Sequence, residues 1–238
     1  MKYVFPVPTV PAVPIVGSES SFPVRRIYCV GRNYAEHARE MGFDPDREAP
    51  FFFAKPADAV VASGATIPYA LATQNLHHEI ELVVAIGKEG VDITQQAALD
   101  HVYGYAVGLD MTRRDLQLAA RDKGRPWDVG KGFDQSAPTG AIRRAAEIGH
   151  LTSGTIQLSV NGQVKQNSDL KLLLWSVKEL VAELSRLFVL QPGDLIFTGT
   201  PAGVGPVKPG DELRGSIEGV GEISLSIAGR SSHAGPRG

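Results

Sequence analysis

The sequence has little cysteine, no long apolar run and almost no net charge, and each shortage excludes a class of protein. Cys29 is the single cysteine among 238 residues, so the chain forms no internal disulfide, which fits a reducing compartment. No segment reaches the roughly 18 apolar residues of a membrane span. Lysine and arginine number 24 against 26 acidic residues, a balance that offers no basic surface for nucleic acid. We therefore expect a cytoplasmic protein with neither membrane nor nucleic-acid partners.

Glycine and proline, by contrast, are frequent at 26 and 16 residues, and they divide the chain into short pieces. This composition favours many strands over long helices. Prolines at positions 6, 8, 11 and 14 predict an extended N-terminal arm over residues 1–24. The small polar residues 230–238 predict a disordered tail. Because no linker or repeat interrupts residues 25–229, we expect one catalytic domain of the α+β class, dominated by a mixed sheet.

Local patterns predict the elements of this domain. Strands are predicted at residues 27–30, 51–55, 79–86, 102–109, 156–160, 163–166 and 195–197. Asn161-Gly162 suits the tight turn of a hairpin between two of them. Helices are predicted at residues 33–41, with Asn33 as the cap, and at 93–101, 111–121 and 177–188. Apolar residues from Val177 to Phe188 recur at helical spacing, so this last helix should pack one face on a sheet.

The first chemical signal is a pair of closely spaced carboxylates in the segment His77-His78-Glu79-Ile80-Glu81. On a strand, Glu79 and Glu81 point to the same face, and burying two like charges there is costly unless a cation joins them. Asp110 follows another predicted strand and is a candidate third ligand. Three carboxylates without a thiolate indicate a hard cation, Mg²⁺ or Mn²⁺, with Ca²⁺ as an alternative. Two alternatives remain at this stage, a solvated face paired with lysines and a zinc site that uses the neighbouring histidines.

Further polar residues suggest a site for an anion. Asp110, Arg114 and Gln117 have the i, i+4, i+7 spacing of one helical face, where a guanidinium and an amide can hold a carboxylate beside a cation. Lys131, flanked by glycines, is a candidate for stabilising a developing enolate. Thr200 lies in a glycine-rich loop after a predicted strand and can contribute hydrogen bonds to a carboxylate. Each of these patterns is also found on ordinary solvated helices and tight turns.

A candidate general base lies near the N-terminus. His37 and Glu40 are three residues apart on the predicted helix 33–41 and therefore share a face. A carboxylate beside an imidazole orients the ring and raises its basicity, which a base that activates water requires. The alternative is a surface contact between the two side chains.

Five segments, in this order along the chain, together resemble the fumarylacetoacetate hydrolase family. They are Gly31-Arg32-Asn33-Tyr34 with His37, His78-Glu79-Ile80-Glu81, Leu109-Asp110-Met111-Thr112-Arg113-Arg114-Asp115, Lys131-Gly132-Phe133, and Thr198-Gly199-Thr200-Pro201 with Gly203-Val204-Gly205. The resemblance runs from Arg25 to Ile227. Within the family, residues 41–48 and 51–53 are similar to the fumarylpyruvate hydrolases of bacterial gentisate degradation.

The resemblance implies a mixed β-sheet roll or barrel with a few short helices, assembled as a homodimer. It implies a Mg²⁺ or Mn²⁺ ion on Glu79, Glu81 and Asp110. It assigns catalysis to a set of three residues and substrate contacts to a set of four: His37, Glu40 and Lys131 for catalysis; Arg32, Arg114, Gln117 and Thr200 for the substrate.

The implied reaction is hydrolysis of the C3–C4 bond of an acylpyruvate, a 2,4-dioxo acid, with fumarylpyruvate giving fumarate and pyruvate. Three alternatives use the same site: an oxaloacetate decarboxylase, a hydratase or isomerase of a related 2-oxo acid, and a binding protein without catalysis. The acyl group stays open, because the sequence does not decide whether Arg32, Arg47 or another cation holds its far end.

Overall fold

The structure, a computed structural model, describes residues 2–40 and 48–230. In these ranges the chain forms eighteen strands, five α-helices and three short 3₁₀ helices. The strands are β1 Ala12–Pro14, β2 Ser21–Pro23, β3 Arg26–Gly31, β4 Phe51–Lys55, β5 Val60–Ala62, β6 Ala65–Pro68, β7 Leu76–His78, β8 Ile80–Ile86, β9 Val102–Leu109, β10 Thr112–Arg113, β11 Ala137–Thr139, β12 Arg143–Arg144, β13 Thr155–Val160, β14 Gln163–Asp169, β15 Asp194–Phe197, β16 Gly205–Pro206, β17 Glu212–Ile217 and β18 Gly221–Ala228. The α-helices are α1 Ala35–Glu40, α2 Arg114–Arg121, α3 Asp128–Lys131, α4 Ala145–Ile148 and α5 Val177–Leu187.

An eight-stranded mixed sheet, with the path β4-β3-β15-β8-β9-β11-β5 and β12 beside β9, forms the centre of the molecule. Every residue of β8 is buried. Ile80, Leu82 and Val84 enter one apolar cluster, whereas Val83 and Ala85 enter a second cluster on the opposite face. This alternation is the period of two expected of a strand, with apolar packing on both faces.

A five-stranded sheet, ordered β14-β13-β17-β18-β6, packs against the larger cluster. Its strand β13 turns Ile156, Leu158 and Val160 inward. The two sheets approach closely at Gly215 of β17, where a Cβ atom would lie 2.7 Å from the Cδ1 atom of Ile80. The resulting roll of mixed sheets with a few short helices confirms the predicted α+β fold.

The predicted hairpin and the longest predicted helix are confirmed. Strands β13 and β14 pair antiparallel across Asn161 and Gly162, which both have the positive φ angles, 51° and 77°, of the expected tight turn. Helix α5 buries Val177, Leu180, Val181 and Leu184 in the larger cluster (a four-residue stripe). The last two residues of the apolar series, Leu187 and Phe188, are exposed, and the helix ends at the first of them.

The predicted helix at residues 93–101 is wrong, since only Ala98–His101 forms a 3₁₀ turn. The backbone N–H groups at its start are used elsewhere. Asp92 donates to the Ser185 carbonyl at 3.1 Å and Ile93 donates to the Ser185 hydroxyl at 2.9 Å. These two bonds attach the start of the segment to α5.

A small sheet, β10-β7-β16, lies beside the mouth of the roll. Thr112 and Arg113 pair there with His77 and Leu76, so the helix predicted from residue 111 begins only at Arg114. The chain therefore makes a strand pairing immediately after Asp110, which brings α2 close to the end of β9.

At the N-terminus, β1 and β2 form an antiparallel hairpin that buries Val13 and Phe22 in the smaller cluster. Tyr3, Val4 and Phe5, by contrast, are exposed. In the part of the chain that the structure describes, none of the helices has the length and apolar character needed to cross a bilayer. Residues 231–238 of the predicted tail lie outside the described residues.

Candidate active site

Three carboxylates meet at the junction of β7, β8 and β9. Glu79 occupies the break between β7 and β8 rather than a strand position, Glu81 is the second residue of β8, and Asp110 directly follows β9. Strand pairing brings them together, because the Asp110 N–H donates to the Glu79 carbonyl at 2.8 Å. One oxygen from each side chain lies within 4.8 Å of the others, and all three residues are buried. The structure thus assembles the predicted carboxylate triad.

Two buried lysines bond to this triad. The Nζ of Lys131 lies 2.8 Å from Glu79 Oε2 and 2.6 Å from Asp110 Oδ2, and it donates to the Thr112 hydroxyl at 2.7 Å. The Nζ of Lys55, at the end of β4, lies 2.8 Å from Asp110 Oδ1 and donates to the Met111 carbonyl. Sequence reasoning missed Lys55, whose one local signal is a charge at the end of the apolar run Phe51–Ala54.

The three carboxyl groups differ in their electrostatic surroundings. Burial raises the pKa of Glu81 well above its usual range, and the charges of Asp110 and Glu79 add to this effect. At Glu79 burial acts in the same direction, but the nearby Lys131 and Arg114 outweigh it and hold the pKa below its usual range. Burial opposes the charge on Lys131, whose pKa is nevertheless raised by Asp110 and Glu79. The protein therefore compensates the charge of Glu81 less well than that of Glu79.

This donor set fits a divalent cation such as Mg²⁺ or Mn²⁺. All candidate ligand atoms are carboxylate oxygens, the donors that hard cations prefer. The insufficient compensation at Glu81, which accepts one hydrogen bond of 2.7 Å from the Gly199 N–H, is what a bound cation would relieve.

The neighbouring histidines, considered as zinc ligands from the sequence, are bonded elsewhere. His77 contacts Asn75 Oδ1 at 2.9 Å and His78 contacts Gln166 Oε1 at 3.0 Å. Burial and then the Arg114 charge lower the pKa of His77 to about 4, so its ring is neutral at pH 7. A metal site needs several histidine, cysteine, aspartate or glutamate side chains close together. Among the described residues, the carboxylate triad is the one group of three or more that meets this condition.

Helix α2 supplies one wall of a cleft that opens from the triad. Arg114 and Gln117 both line it, as predicted, and the guanidinium bonds to the Gln117 amide oxygen and to Glu79. The reasoning that put Asp110 on the same helical face was wrong, because α2 begins after it at Arg114. Asp110 reaches the site through β9 instead. Gly130 lets α3 pack on α2, since a Cβ there would lie 2.9 Å from the backbone of Gln117.

The predicted imidazole–carboxylate pair lies at the rim of this cleft. His37 Nδ1 is 3.2 Å from Glu40 Oε2, and the Gly203 N–H donates to the same carboxylate at 3.2 Å. The hydrogen bond with His37 lowers the pKa of Glu40; burial opposes this shift and the bond from Gly203 adds to it. Glu40 therefore stays ionised, and His37, which is buried and lines the cleft, is held on its Nδ1 side.

Two other predictions for this segment have different outcomes. Asn33 does not cap α1, because its amide bonds to the Trp175 and Thr198 carbonyls at 2.9 and 2.8 Å and accepts from the Trp175 N–H. It anchors the segment to the rest of the fold instead. Arg32 lines the cleft, with its guanidinium carbon 5.4 Å from the centre of the Phe51 ring, and its role as a substrate contact stays a prediction. Arg47 lies outside the described residues.

Thr200 also lines the cleft, and a buried glutamine positions it. Its hydroxyl donates to the Ile80 carbonyl at 2.8 Å and accepts from Gln166 Nε2 at 2.8 Å. The Gln166 amide oxygen accepts from the Ile80 N–H at 3.1 Å and contacts His78. Gln166 therefore connects the glycine-rich loop to β8. Sequence reasoning missed it, because one glutamine in a hairpin strand carries no local signal.

A sheet roll with three buried carboxylates, a lysine and an imidazole around one cleft defines an enzyme of the metal-dependent class. The model for the fumarylacetoacetate hydrolase C-terminal domain matches residues 26–228, and the chain belongs to that family. It is 50% identical over 184 residues to the fumarylpyruvate hydrolase of a Ralstonia species, covering 77% of this chain and 95% of the relative.

Two further relatives bear on the choice of reaction. The crystal structure of fumarylpyruvate hydrolase from Pseudomonas aeruginosa in complex with Mn²⁺ and pyruvate is 56% identical, with a TM-score of 0.92 over 95% of this chain and 99% of that one. The mitochondrial oxaloacetate decarboxylase of Dictyostelium discoideum is 43% identical over 197 residues, which cover 82% of this chain and 90% of the relative.

Proposed function

We propose that the protein is a Mg²⁺- or Mn²⁺-dependent hydrolase that cleaves the C3–C4 bond of an acylpyruvate, with fumarylpyruvate giving fumarate and pyruvate. The observation that carries this proposal is the buried triad of Glu79, Glu81 and Asp110 in a cleft that His37, itself bonded to Glu40, also lines. Identities of 50% and 56% to two fumarylpyruvate hydrolases support the same reaction.

The inner end of the cleft suits the pyruvoyl part of such a substrate. Glu79, Glu81 and Asp110 would hold the metal ion, which supplies Lewis-acid polarisation of the substrate when bound. Arg114 offers a guanidinium for the substrate carboxylate, and Gln117 and Thr200 also line this part of the protein as polar residues of the cleft. These assignments account for a cluster of cations and amides beside a carboxylate triad.

The proposed base is His37. Glu40 accepts a hydrogen bond from Nδ1, which leaves the lone pair on Nε2 to take a proton from water. The hydroxide adds to the C4 carbonyl. The C3–C4 bond then breaks, so that the C4 carbon leaves as a carboxylic acid and the bonding electrons pass into the enolate of pyruvate. The charge of Lys131 stabilises this enolate, and protonation at C3 completes pyruvate.

The test is the turnover of fumarylpyruvate by the purified protein with Mg²⁺, with Mn²⁺ and with excess chelator, with the products identified. We expect metal-dependent release of fumarate and pyruvate in equal amounts. The variant Glu36→Gln changes an exposed residue on the same helix as His37. It serves as the control variant, and its turnover should equal that of the wild type. Absence of cleavage in the presence of either metal would overturn the proposal.

A second candidate is oxaloacetate decarboxylation, which the 43% identity to the Dictyostelium enzyme favours. Decarboxylation needs the carboxylate triad but no attacking water, so it does not use His37 as a base. Comparing the turnover of oxaloacetate with that of fumarylpyruvate, in wild type and in His37→Ala, separates the two reactions. Loss of acylpyruvate cleavage with retained decarboxylation would mark decarboxylation as a side activity of the same metal site.

We further propose a cytoplasmic homodimer that acts in the breakdown of aromatic compounds, with residues 25–229 as its catalytic domain. Family membership supports this assembly, and the free, buried Cys29 suits a reducing compartment. Light scattering on the purified protein tests the dimer, since a mass of one chain would contradict it.

A further inference from the structure

The cleft has a second cationic end, away from the carboxylate triad. Arg121, the last residue of α2, and Arg32, which follows β3, both line it. Arg32 lies against the ring of Phe51, which packs edge-on to Trp127 with ring centres 5.2 Å apart. The guanidinium of Arg32 thus borders a wall of aromatic side chains. None of the functions considered so far uses Arg121.

The length of helix α2 gives the distance between the two ends of the cleft. Arg114, Gln117, Leu118 and Arg121 all line the cleft, and their spacing of i, i+3, i+4 and i+7 sets them on one face of the helix. At 1.5 Å per residue, the first and last of them are about 10 Å apart along the axis. The seven-carbon chain of fumarylpyruvate separates its terminal carboxylate carbons by about 7–8 Å when extended. The arginine side chains at the two ends of α2 are long enough to span the difference between these two distances.

The charges at the outer end favour an anion. Within the part of the chain that the structure describes, the acidic residues that line the cleft are those of the triad. Arg121 pairs with Asp122 at 3.0 Å, but that carboxylate is 63% exposed and faces solvent, where such a pair contributes little. Burial lowers the pKa of Arg32, an effect that Glu48 opposes and that the charge of Arg121 reinforces. A carboxylate between the two guanidiniums would relieve this repulsion.

We propose that Arg121, together with Arg32, binds a carboxylate at the far end of the acyl group and so selects dicarboxylic acylpyruvates over those with a neutral acyl group. The proposal rests on the acylpyruvate hydrolysis proposed above and names its substrate class. It assigns a specificity role to a residue that is neither a proposed metal ligand nor the proposed base. A substrate whose acyl group lacks this carboxylate occupies only the part of the cleft near the triad and does not reach Arg121.

Two substrates separate this role from the chemistry. Fumarylpyruvate carries the distal carboxylate, whereas acetylpyruvate offers the same bond for cleavage and lacks it. We expect Arg121→Ala to lower kcat/KM for fumarylpyruvate by about 10- to 100-fold, the effect of losing one charge-assisted hydrogen-bonding partner. For acetylpyruvate the change should stay within about 3-fold, because no distal group is bound. Arg121→Lys should recover part of the loss.

The matched control is Lys123→Ala, which removes an exposed cation two residues further on that does not line the cleft. The double variant Arg32→Ala/Arg121→Ala supplies an independent readout. If both guanidiniums hold one carboxylate, the effects of the single changes on fumarylpyruvate will not multiply.

The outcomes distinguish the proposal from the function on which it rests. Unchanged fumarylpyruvate kinetics in Arg121→Ala, or an equal loss with both substrates, would overturn the carboxylate site and leave acylpyruvate hydrolysis standing. The same holds if the wild-type protein prefers acetylpyruvate to fumarylpyruvate. Failure of the wild type to cleave either substrate would overturn the proposed function, and the specificity role with it.

Discussion

Removal of the His37 imidazole is the sharpest test of the proposed chemistry. His37 is buried, lines the cleft and has one ring nitrogen bonded to Glu40. An exposed side chain elsewhere on the protein therefore does not take over its role as the base. A positioned general base contributes about 10²- to 10⁴-fold to the rate. We therefore expect His37→Ala to lower kcat for fumarylpyruvate by about 10³-fold, measured as steady-state pyruvate release with saturating Mn²⁺.

The partner carboxylate should show a smaller effect. Glu40→Gln keeps an oxygen that can accept from His37 and from the Gly203 N–H, and it removes only the charge. Charge-assisted hydrogen bonds are about twice as strong as neutral ones, but Glu40 is 35% exposed, so solvent screens part of the difference. The expected loss in kcat is about 10-fold, well short of that for the imidazole.

Binding measurements complete this test. Calorimetric titration with Mn²⁺ and with pyruvate should give affinities for His37→Ala within about 2-fold of wild type, since the triad and Arg114 are unchanged. Thermal unfolding checks that α1 still packs. A kcat reduced by less than about 5-fold, or a parallel loss of pyruvate affinity, would refute the assignment of His37 as the base.

Three further predictions concern the metal site and the packing of the sheets. Glu81→Gln should abolish calorimetrically detectable Mn²⁺ binding, while the metal-free protein unfolds at the same or a higher temperature, because a poorly compensated buried charge is gone. Lys55→Met should lower the free energy of unfolding in urea by about 3 kcal/mol, since it breaks the buried pair with Asp110; an unchanged midpoint would contradict this. Gly215→Ala should cost about 1–3 kcal/mol by overpacking the two sheets, whereas Gly229→Ala, whose Cβ meets nothing within 4 Å, should leave the urea midpoint unchanged.

The candidate site was predicted from the sequence as five separate signals, and each had an ordinary structural alternative. The order of the motifs along the chain, through the resemblance to one family, joins them into one predicted site. The structure brings most of these residues to one cleft and adds Lys55 and Gln166, which bond to the triad and to Thr200 and have little or no local signal. Both are buried polar residues whose partners lie far away in the chain, so no window of sequence contains the interaction.

Local physics was sufficient where an element is stabilised within its own segment. The hairpin at Asn161-Gly162 follows from the backbone angles that the turn requires, and α5 follows from its apolar spacing and from Glu179, which accepts from the Ser176 N–H at its start. Strand β8 follows from its unbroken apolar run.

Only the tertiary structure decided which residues meet. The sequence by itself determined that Glu79, Glu81 and Asp110 were carboxylates near strand ends, but the antiparallel pairing of β8 with β9 is what brings the third beside the first two. In the same way, β10 pairs with β7, so α2 begins only at Arg114. Arg114 and Arg121 on this helix then both line the cleft. Strand pairing joins positions that are distant in the chain, and local periodicity, which reports only the burial of a segment's own face, does not contain that information.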